Sequence, residues 1–567
     1  MNTEILSIIL FFIVTAALSW PLGRYIAGVY AGERGFGDRL FGGLEKWMFR
    51  LSGIDPDREM RWQEHLKALL TINVLWFLWA MFVLLNQGWL PWNPDGNPSM
   101  TPDLAFNTAI SFIVNCNLQH YSGETGASYF SQIFALMFLQ FVSAGTGLAA
   151  GAVVFNAMRQ RTATRLGNFY DYFLKSCTRI LLPISFVAAL FLIADGVPMN
   201  LAEGKDTIVT LQGDTVQVSR GPVAAFVAIK QAGTNGGGYY GTNSAHPLEN
   251  PTVWTNVLEN FLILAIPMAF VFALGFYLKK QRLAWMIFGV MTAGFLIILG
   301  TTVWSELQGN PAIDQLGIVQ TSGSMEGKEL RFGAGLSALW SISTTATSNG
   351  SVNAMHDSFT PLAGGMQMLD MMINSLYGGV GVGWLNFYVF IILATFIGGL
   401  MVGRTPELLG KKVEAREMKI AMLVALLHPF LILAGTALAA FYSAQGYPVA
   451  ASWLNNPGFH GFSEMLYEYT SASANNGSGF EGLGDNNPFW NITTGVVLML
   501  SRYLPIIGPV AIAGLLAEKK FIPESAGTLR PDSATFGVLV FAVIVIIAAL
   551  SFFPALTLGP IAEFLSL

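Results

Sequence analysis

The chain has 567 residues, 53% of them hydrophobic and only 11% charged, with a mean hydropathy of +0.52. Soluble domains carry charge on about a quarter of their residues, so this composition describes a polytopic membrane protein. A net charge of −5 excludes a nucleic-acid footprint, and two cysteines, Cys116 and Cys177, exclude a disulfide framework.

The first apolar run, Ile5 to Trp20, follows Met-Asn-Thr-Glu and precedes Arg24, Arg34 and Arg39. A cleaved signal peptide has its positive charge before the apolar run, so this one reads as a retained helix that starts outside. Nine more stretches match the length that a hydrocarbon core of roughly 30 Å requires. They centre on Ala68 to Leu85, Ser128 to Val154, Ile180 to Ala194, Val253 to Leu278, Leu283 to Val303, Val380 to Val402, Ile420 to Tyr442, Trp490 to Leu516 and Phe536 to Phe553, the fourth extending back into Phe169 to Cys177.

The connections after the odd-numbered spans hold 24 of the 30 Lys and Arg, which makes them cytoplasmic and leaves both termini outside. The even-numbered connections, 87–127, 196–252, 305–372 and 443–489, carry 17 Asp and Glu against 5 Lys and Arg. Positive-inside placement explains the missing cations there but not the surplus carboxylates. An acidic outer face concentrates cations, within a screened reach of about 10 Å.

Each outer connection repeats one pattern: a segment too short to span, then small polar residues and glycine. The four are Phe106 to Gln119, Ala224 to Gly238, Leu336 to Gly350 and Phe462 to Gly477. Aligning Asn117, Gly236, Gly350 and Gly477 gives separations of 119, 114 and 127 residues. The fold class is therefore all-α: four pseudo-symmetric repeats of helix, re-entrant pore helix and helix, plus one extra helix at each end. The division is 1–60, the four repeats 61–165, 166–281, 282–415 and 416–522, and 523–567.

Non-helical backbone survives at membrane depth only where it lines a cavity or is enclosed by protein, so four such turns are expected to meet at a wet centre. A ring of carbonyls behind four half-helix C-termini, each worth about −0.5 charge, is a cation filter. Glycine permits φ > 0 at the turns, and Thr234, Asn235, Ser348, Asn349, Asn475 and Asn476 can hold neighbouring carbonyls in place. Ordinary external loops rich in Gly, Asn and Ser are the competing reading, which four matching positions make less attractive.

Arg502 lies about halfway along the ninth span, where a charge costs about 2.5–3.5 kcal/mol and so faces a cavity or a partner. It would repel a cation travelling straight through a filter; capping carbonyls or pairing with a carboxylate is the structural alternative. Gly378, Gly379, Gly381 and Gly383 open the seventh span and predict either a broken helix or close helix packing. Glu259 and His428-Pro429 are weaker candidates, His428 reading as satisfied by a freed carbonyl. Arg404 is accounted for by its cytoplasmic position. Thr207 to Val218 predicts a small external hairpin.

The chain contains no GxxxxGK[ST], DKTGT, HExxH or GxSxG sequence, so ATP hydrolysis is not expected of it. Energy for uphill transport would have to enter through another subunit. A self-sufficient cation channel or secondary symporter of the same architecture is the competing function.

The segments FNTAISF with Gln119-His120-Tyr121-Ser122-Gly123-Glu124, GTNGGG followed by NSAHPLENPT, AMHDSFT, GRTPELLGKK, and NNGSGFEGL with NPFWN resemble the potassium-translocating A subunit of the bacterial Kdp-type ATPase. The resemblance covers nearly the whole chain. It implies a channel-like subunit in a bacterial plasma membrane that takes potassium ion from outside, with no organic cofactor. It also implies a complex with a P-type ATPase subunit (Kdp B), a single-span subunit (Kdp C) and a small membrane peptide (Kdp F), embedded in membrane lipid.

Carried over, the filter falls on Asn115, Cys116 and Asn117; Thr234, Asn235 and Gly236; Ser348, Asn349 and Gly350; and Asn475, Asn476 and Gly477. Gln119 matches the filter-adjacent glutamine. Arg502 matches a barrier below the filter, and Gly378, Gly379, Gly381 and Gly383 match an interrupted helix whose loop is a gate.

Overall fold

The computed structural model describes residues 3–33, 35–201, 204–210, 212–446, 452–523 and 530–567. Of the sequence features above, Met1, Asn2, Arg34, Glu203 in the acidic connection and Leu211 in the expected hairpin lie outside them. Among the described residues, ten helices are long and apolar enough to cross a membrane. They are Thr3–Ala31, Trp62–Asn86, Tyr129–Arg159, Phe169–Ala194, Val253–Leu278, Gln281–Asp314, Val382–Val402, Ala415–Ala444, Pro488–Glu518 and Ala534–Leu558. Each matches an expected span, and most run past the apolar stretch, because the flanking turns stay helical after the hydrophobic run ends.

The fifth span is the most enclosed. Its residues from Leu262 to Gly275 are all buried, and the first span lies along it. Small residues let the two backbones approach. Ser19 Oγ donates to the Ala265 carbonyl at 3.3 Å, and a Cβ on Gly23 would lie 2.5 Å from the Ala269 carbonyl oxygen. The opposite face of the first span, with Leu10, Ile13 and Leu18, is exposed, as a lipid-facing stripe is.

Between the paired spans stand four short helices, Pro102–Ile113, Val223–Ala232, Gly333–Ala346 and Phe459–Ala474. At 10 to 16 residues they are roughly 15–24 Å long, short of the roughly 30 Å hydrocarbon core. Nearly every residue in their last two turns is buried. Protein rather than lipid therefore surrounds their ends.

The seventh span begins at Val382, two residues later than the apolar run predicted. Another helix, Pro361–Ile373, leads into it, and a loop over 374–381 separates the two. Asn374, Tyr377, Gly378 and Gly381 all take positive φ, which an α-helix cannot accommodate. The glycines thus mark a real interruption. They also pack closely: Gly378 and Gly383 face each other so tightly that a Cβ on either would overlap the other's Cα.

The expected hairpin forms between Asp206–Val209 and Thr215–Val218, Asp206 pairing with Val218 and Val209 with Thr215. Elements besides Pro361–Ile373 were also not anticipated. Phe36–Ser52 is an amphipathic helix in the connection between the first and second spans, with Leu40, Leu44, Trp47 and Leu51 exposed along one side. Pro560–Ser566 is a short helix that follows the last span.

Candidate functional site

The four turns share one backbone conformation. The first and third residues of each have positive φ: Asn115 (62°) and Asn117 (57°), Thr234 (48°) and Gly236 (81°), Ser348 (50°) and Gly350 (90°), Asn475 (51°) and Gly477 (104°). The middle residues, Cys116, Asn235, Asn349 and Asn476, do not. In an extended strand successive carbonyls point to opposite sides; inverting alternate residues turns them toward one side.

Each half-helix also ends the same way. The middle residue's N–H donates to the carbonyl five residues back: Cys116 to Ser111 at 3.0 Å, Asn235 to Lys230 at 2.8 Å, Asn349 to Thr344 at 3.0 Å and Asn476 to Ser471 at 2.9 Å. This is the long bond of a Schellman-type terminus, and it lets the chain leave the helix without orphaning the last carbonyls. Left-handed Asn is well tolerated, whereas Thr234 and Ser348 in that region are uncommon and strained.

The turns form a closed ring in chain order. A Cβ on Gly236 would fall on the Asn349 carbonyl oxygen, one on Gly350 on the Asn476 carbonyl oxygen, and one on Gly477 on the Cys116 carbonyl oxygen. The circle closes between the first and second arms, where a Cβ on Gly237 would lie 2.7 Å from Asn117 Cβ. The three turn glycines are therefore required twice, by φ and by the neighbouring carbonyl. Asn117 stands where the first arm lacks glycine, with both side-chain polar atoms buried and unpartnered.

Side-chain amides join the arms. Asn235 Nδ2 donates to Asn115 Oδ1 at 2.6 Å, Asn115 Nδ2 to the Thr234 carbonyl at 2.9 Å, and Asn476 Nδ2 to the Thr344 carbonyl at 2.8 Å. Asn349 Nδ2 reaches the Lys230 carbonyl at 3.5 Å. Cys116 has no amide to offer the fourth arm, and a different network stands at that joint. His120 Nε2 is 3.1 Å from Glu468 Oε1, and its Nδ1 is 2.6 Å from Asn491 Oδ1. Gln119 holds the second arm, accepting from Gly238 N at 2.7 Å and donating to the Gly238 carbonyl at 3.0 Å.

The interrupted seventh span abuts the inner end of this ring. Gly378 N donates to the Ala346 carbonyl at 2.8 Å, Val380 N to Thr234 Oγ1 at 2.9 Å, and Ser348 Oγ to Asn374 Oδ1 at 3.1 Å. A Cβ on Gly379 would be 3.4 Å from the Thr347 carbonyl oxygen. Gly381 packs on the backbone of Gly147 in the third span, and a Cβ on Gly147 would itself lie 3.2 Å from Arg502 Nη2.

Arg502 is only 3% exposed. Its one hydrogen bond is long, Nη2 to the Ser143 carbonyl at 3.4 Å, and no carboxylate is within ion-pair reach among the described residues. Ser143 in turn donates to Asn115 Oδ1 at 2.9 Å, linking the guanidinium to the first arm. Pairing with a carboxylate, one of the structural alternatives for Arg502, is thus not what the fold builds.

Glu259 is behind the second arm, accepting from Gln231 Nε2 and Ser244 Oγ, both at 2.8 Å. His428 meets Ser473 Oγ at 2.8 Å and the Met371 carbonyl at 3.0 Å. Two groups escaped the sequence reading. Lys230, inside the second half-helix, makes a fully buried ion pair with Glu249 and donates to Asn243 Oδ1 at 2.6 Å. His120 and Glu468 clasp the first and fourth arms. Charged residues within short, otherwise buried half-helices were the available signal for both.

Burial opposes the charge on His120, but Asp485 and Glu468 raise its pKa to about 9. A raised imidazole adds stability that is complete below the unfolded value near 6.5 and disappears as pH climbs through about 9. Thermal melting of the purified protein should fall over that window, and His120→Gln should flatten the fall. Parallel pH profiles for wild type and variant would contradict the clasp.

The family description Potassium-transporting ATPase A subunit matches residues 9–565. A protein of Flavobacterium johnsoniae named potassium-transporting ATPase potassium-binding subunit is 66% identical, covering 100% of both chains. One of the same name from Alicyclobacillus acidocaldarius is 48% identical over 99% of both. Among solved structures, the potassium transporter TrkH from Vibrio parahaemolyticus aligns with a TM-score of 0.48 and 14% identity, covering 90% of this chain and 98% of that chain.

Proposed function

The chain belongs to the potassium-transporting ATPase A subunit family, and from that membership we propose that it is the potassium-binding and translocating subunit of an ATP-driven uptake complex. The observation that carries this reading is the closed ring of four equivalent turns. Carbonyls of Asn115 to Asn117, Thr234 to Gly236, Ser348 to Gly350 and Asn475 to Gly477 replace the hydration shell of an incoming potassium ion. The C-terminal ends of four half-helices add negative potential at the same place. The acidic outer connections supply the ion, and both termini share that outer side of a bacterial plasma membrane.

Below the ring, Arg502 and the loop around Gly378, Gly379, Gly381 and Gly383 form the barrier. An unpaired guanidinium repels a potassium ion that has lost its water, with far less screening than in bulk solvent. The ion is thereby diverted sideways to a P-type ATPase subunit instead of leaking inward. A single-span subunit and a small membrane peptide complete the assembly. The relatives' shared name, a subunit of an ATPase, speaks against a self-sufficient channel or symporter. The four repeats 61–165, 166–281, 282–415 and 416–522 each contribute one arm.

Gly236→Asp places a Cβ on the Asn349 carbonyl and a carboxylate beside the ring. In the purified complex, the potassium concentration for half-maximal ATPase stimulation should rise by at least about tenfold while the subunits still co-purify, an energy of about 1.4 kcal/mol. An unchanged half-maximal concentration would exclude the filter assignment. Arg502→Ala should leave ATP hydrolysis running but raise the number of ATP consumed per potassium ion delivered in vesicles. Retained stoichiometry would make Arg502 a structural residue.

A further inference from the structure

A second cluster of titratable groups gathers where the segment after the third turn meets the start of the fourth half-helix. His460 Nε2 lies 2.9 Å from Asp357 Oδ1, and its Nδ1 lies 2.8 Å from Glu563 Oε1 in the helix after the last span. One ligand atom each from Asp357, His460 and Glu464 fall within 4.8 Å of one another.

Glu464 is 0% exposed. Its Oε1 accepts from Asn456 N at 3.2 Å and Nδ2 at 3.0 Å, but its Oε2 is buried with no hydrogen-bond partner. Such an orphaned oxygen forfeits its hydration without replacement unless something positive meets it. Space for an ion is kept by Gly482: a Cβ there would lie 2.7 Å from Glu464 Oε1 and 2.8 Å from Asp357 Oδ2.

The charge balance also calls for a cation. Glu481 accepts from Asp357 N at 3.1 Å, which adds a fourth carboxylate to a cluster that holds one imidazole. Among the described residues, His460 is the only ion-pair partner of any of them. The comparable group of His120, Glu468 and Asp485 differs: it sets two carboxylates against one imidazole and orphans neither carboxylate.

We propose that Asp357, Glu464 and His460 Nε2 bind a divalent transition-metal ion of the zinc class, with Glu563 orienting the imidazole. One nitrogen and two carboxylate oxygens suit zinc better than calcium or magnesium, which take oxygen alone. A carboxylate on the second ring nitrogen is the arrangement that fixes the tautomer of metal-bound histidines. The ion staples the fourth half-helix to the segment after the third turn and to the C-terminal helix, so it steadies two of the four arms from outside. The site is separate from the potassium ring, and its occupancy does not depend on how that ring is read.

The test is made on the intact complex in detergent, stripped with a chelator and then titrated with zinc chloride. The wild type should retain about one zinc per chain through desalting and melt at a higher temperature with zinc than without. Glu464→Gln and His460→Gln should lose both effects, whereas His120→Gln should keep them. Glu563→Gln, which leaves the three ligands in place, should weaken zinc binding by about 10–100-fold. Absence of retained zinc in the wild type, or equally tight zinc in Glu464→Gln and His460→Gln, would overturn the proposal.

Discussion

Backbone that leaves a helix inside a membrane must find partners for its amides and carbonyls, and this chain does so four times at one place. Each half-helix closes with the same five-residue bond, and each turn then runs against the next. Protein encloses the four ends, so no amide is surrendered to lipid. The surrounding spans, with the enclosed fifth helix and the closely packed first, exist to maintain that enclosure.

The ring has four-fold order in its backbone and much less in its side chains. Three arms carry glycine at the third turn position and asparagine at the middle one, while the first carries Asn117 and Cys116. Without a middle amide, the joint between the fourth and first arms is held by His120, Glu468 and Asn491 instead. The inner side is equally unsymmetrical. Among the described residues, only the seventh span is interrupted by a loop against the ring, and only the ninth brings an arginine to it. That asymmetry supports the proposed reading, in which a pore-like entrance has a blocked axis and a lateral exit.

The ten spans were legible because hydropathy reports faces that meet lipid, and the turns were legible because glycine and asparagine recur at matched positions. Helix Pro361–Ile373 was not, since it is shielded by protein and carries Gln367 and Asp370, both buried. Its apolar signal is diluted where protein replaces lipid. The helix Phe36–Ser52 was hidden in a connection counted only for its charges, although Leu40, Leu44, Trp47 and Leu51 recur at helical spacing. Partners were the least visible feature. The Lys230 charge is plain in the second half-helix, but nothing in the pattern designates Glu249, nor pairs His120 with Glu468 across 348 positions.

On the proposed function, dehydrated monovalent cations rest inside the ring. Crystals of the complex grown with thallium(I), which scatters anomalously and substitutes for potassium, test it directly. Anomalous density is expected on the axis between Thr234 to Gly236 and Asn475 to Gly477, and none on that axis below the guanidinium of Arg502. Density outside the four turns with an empty ring, or a continuous column past Arg502, would contradict it.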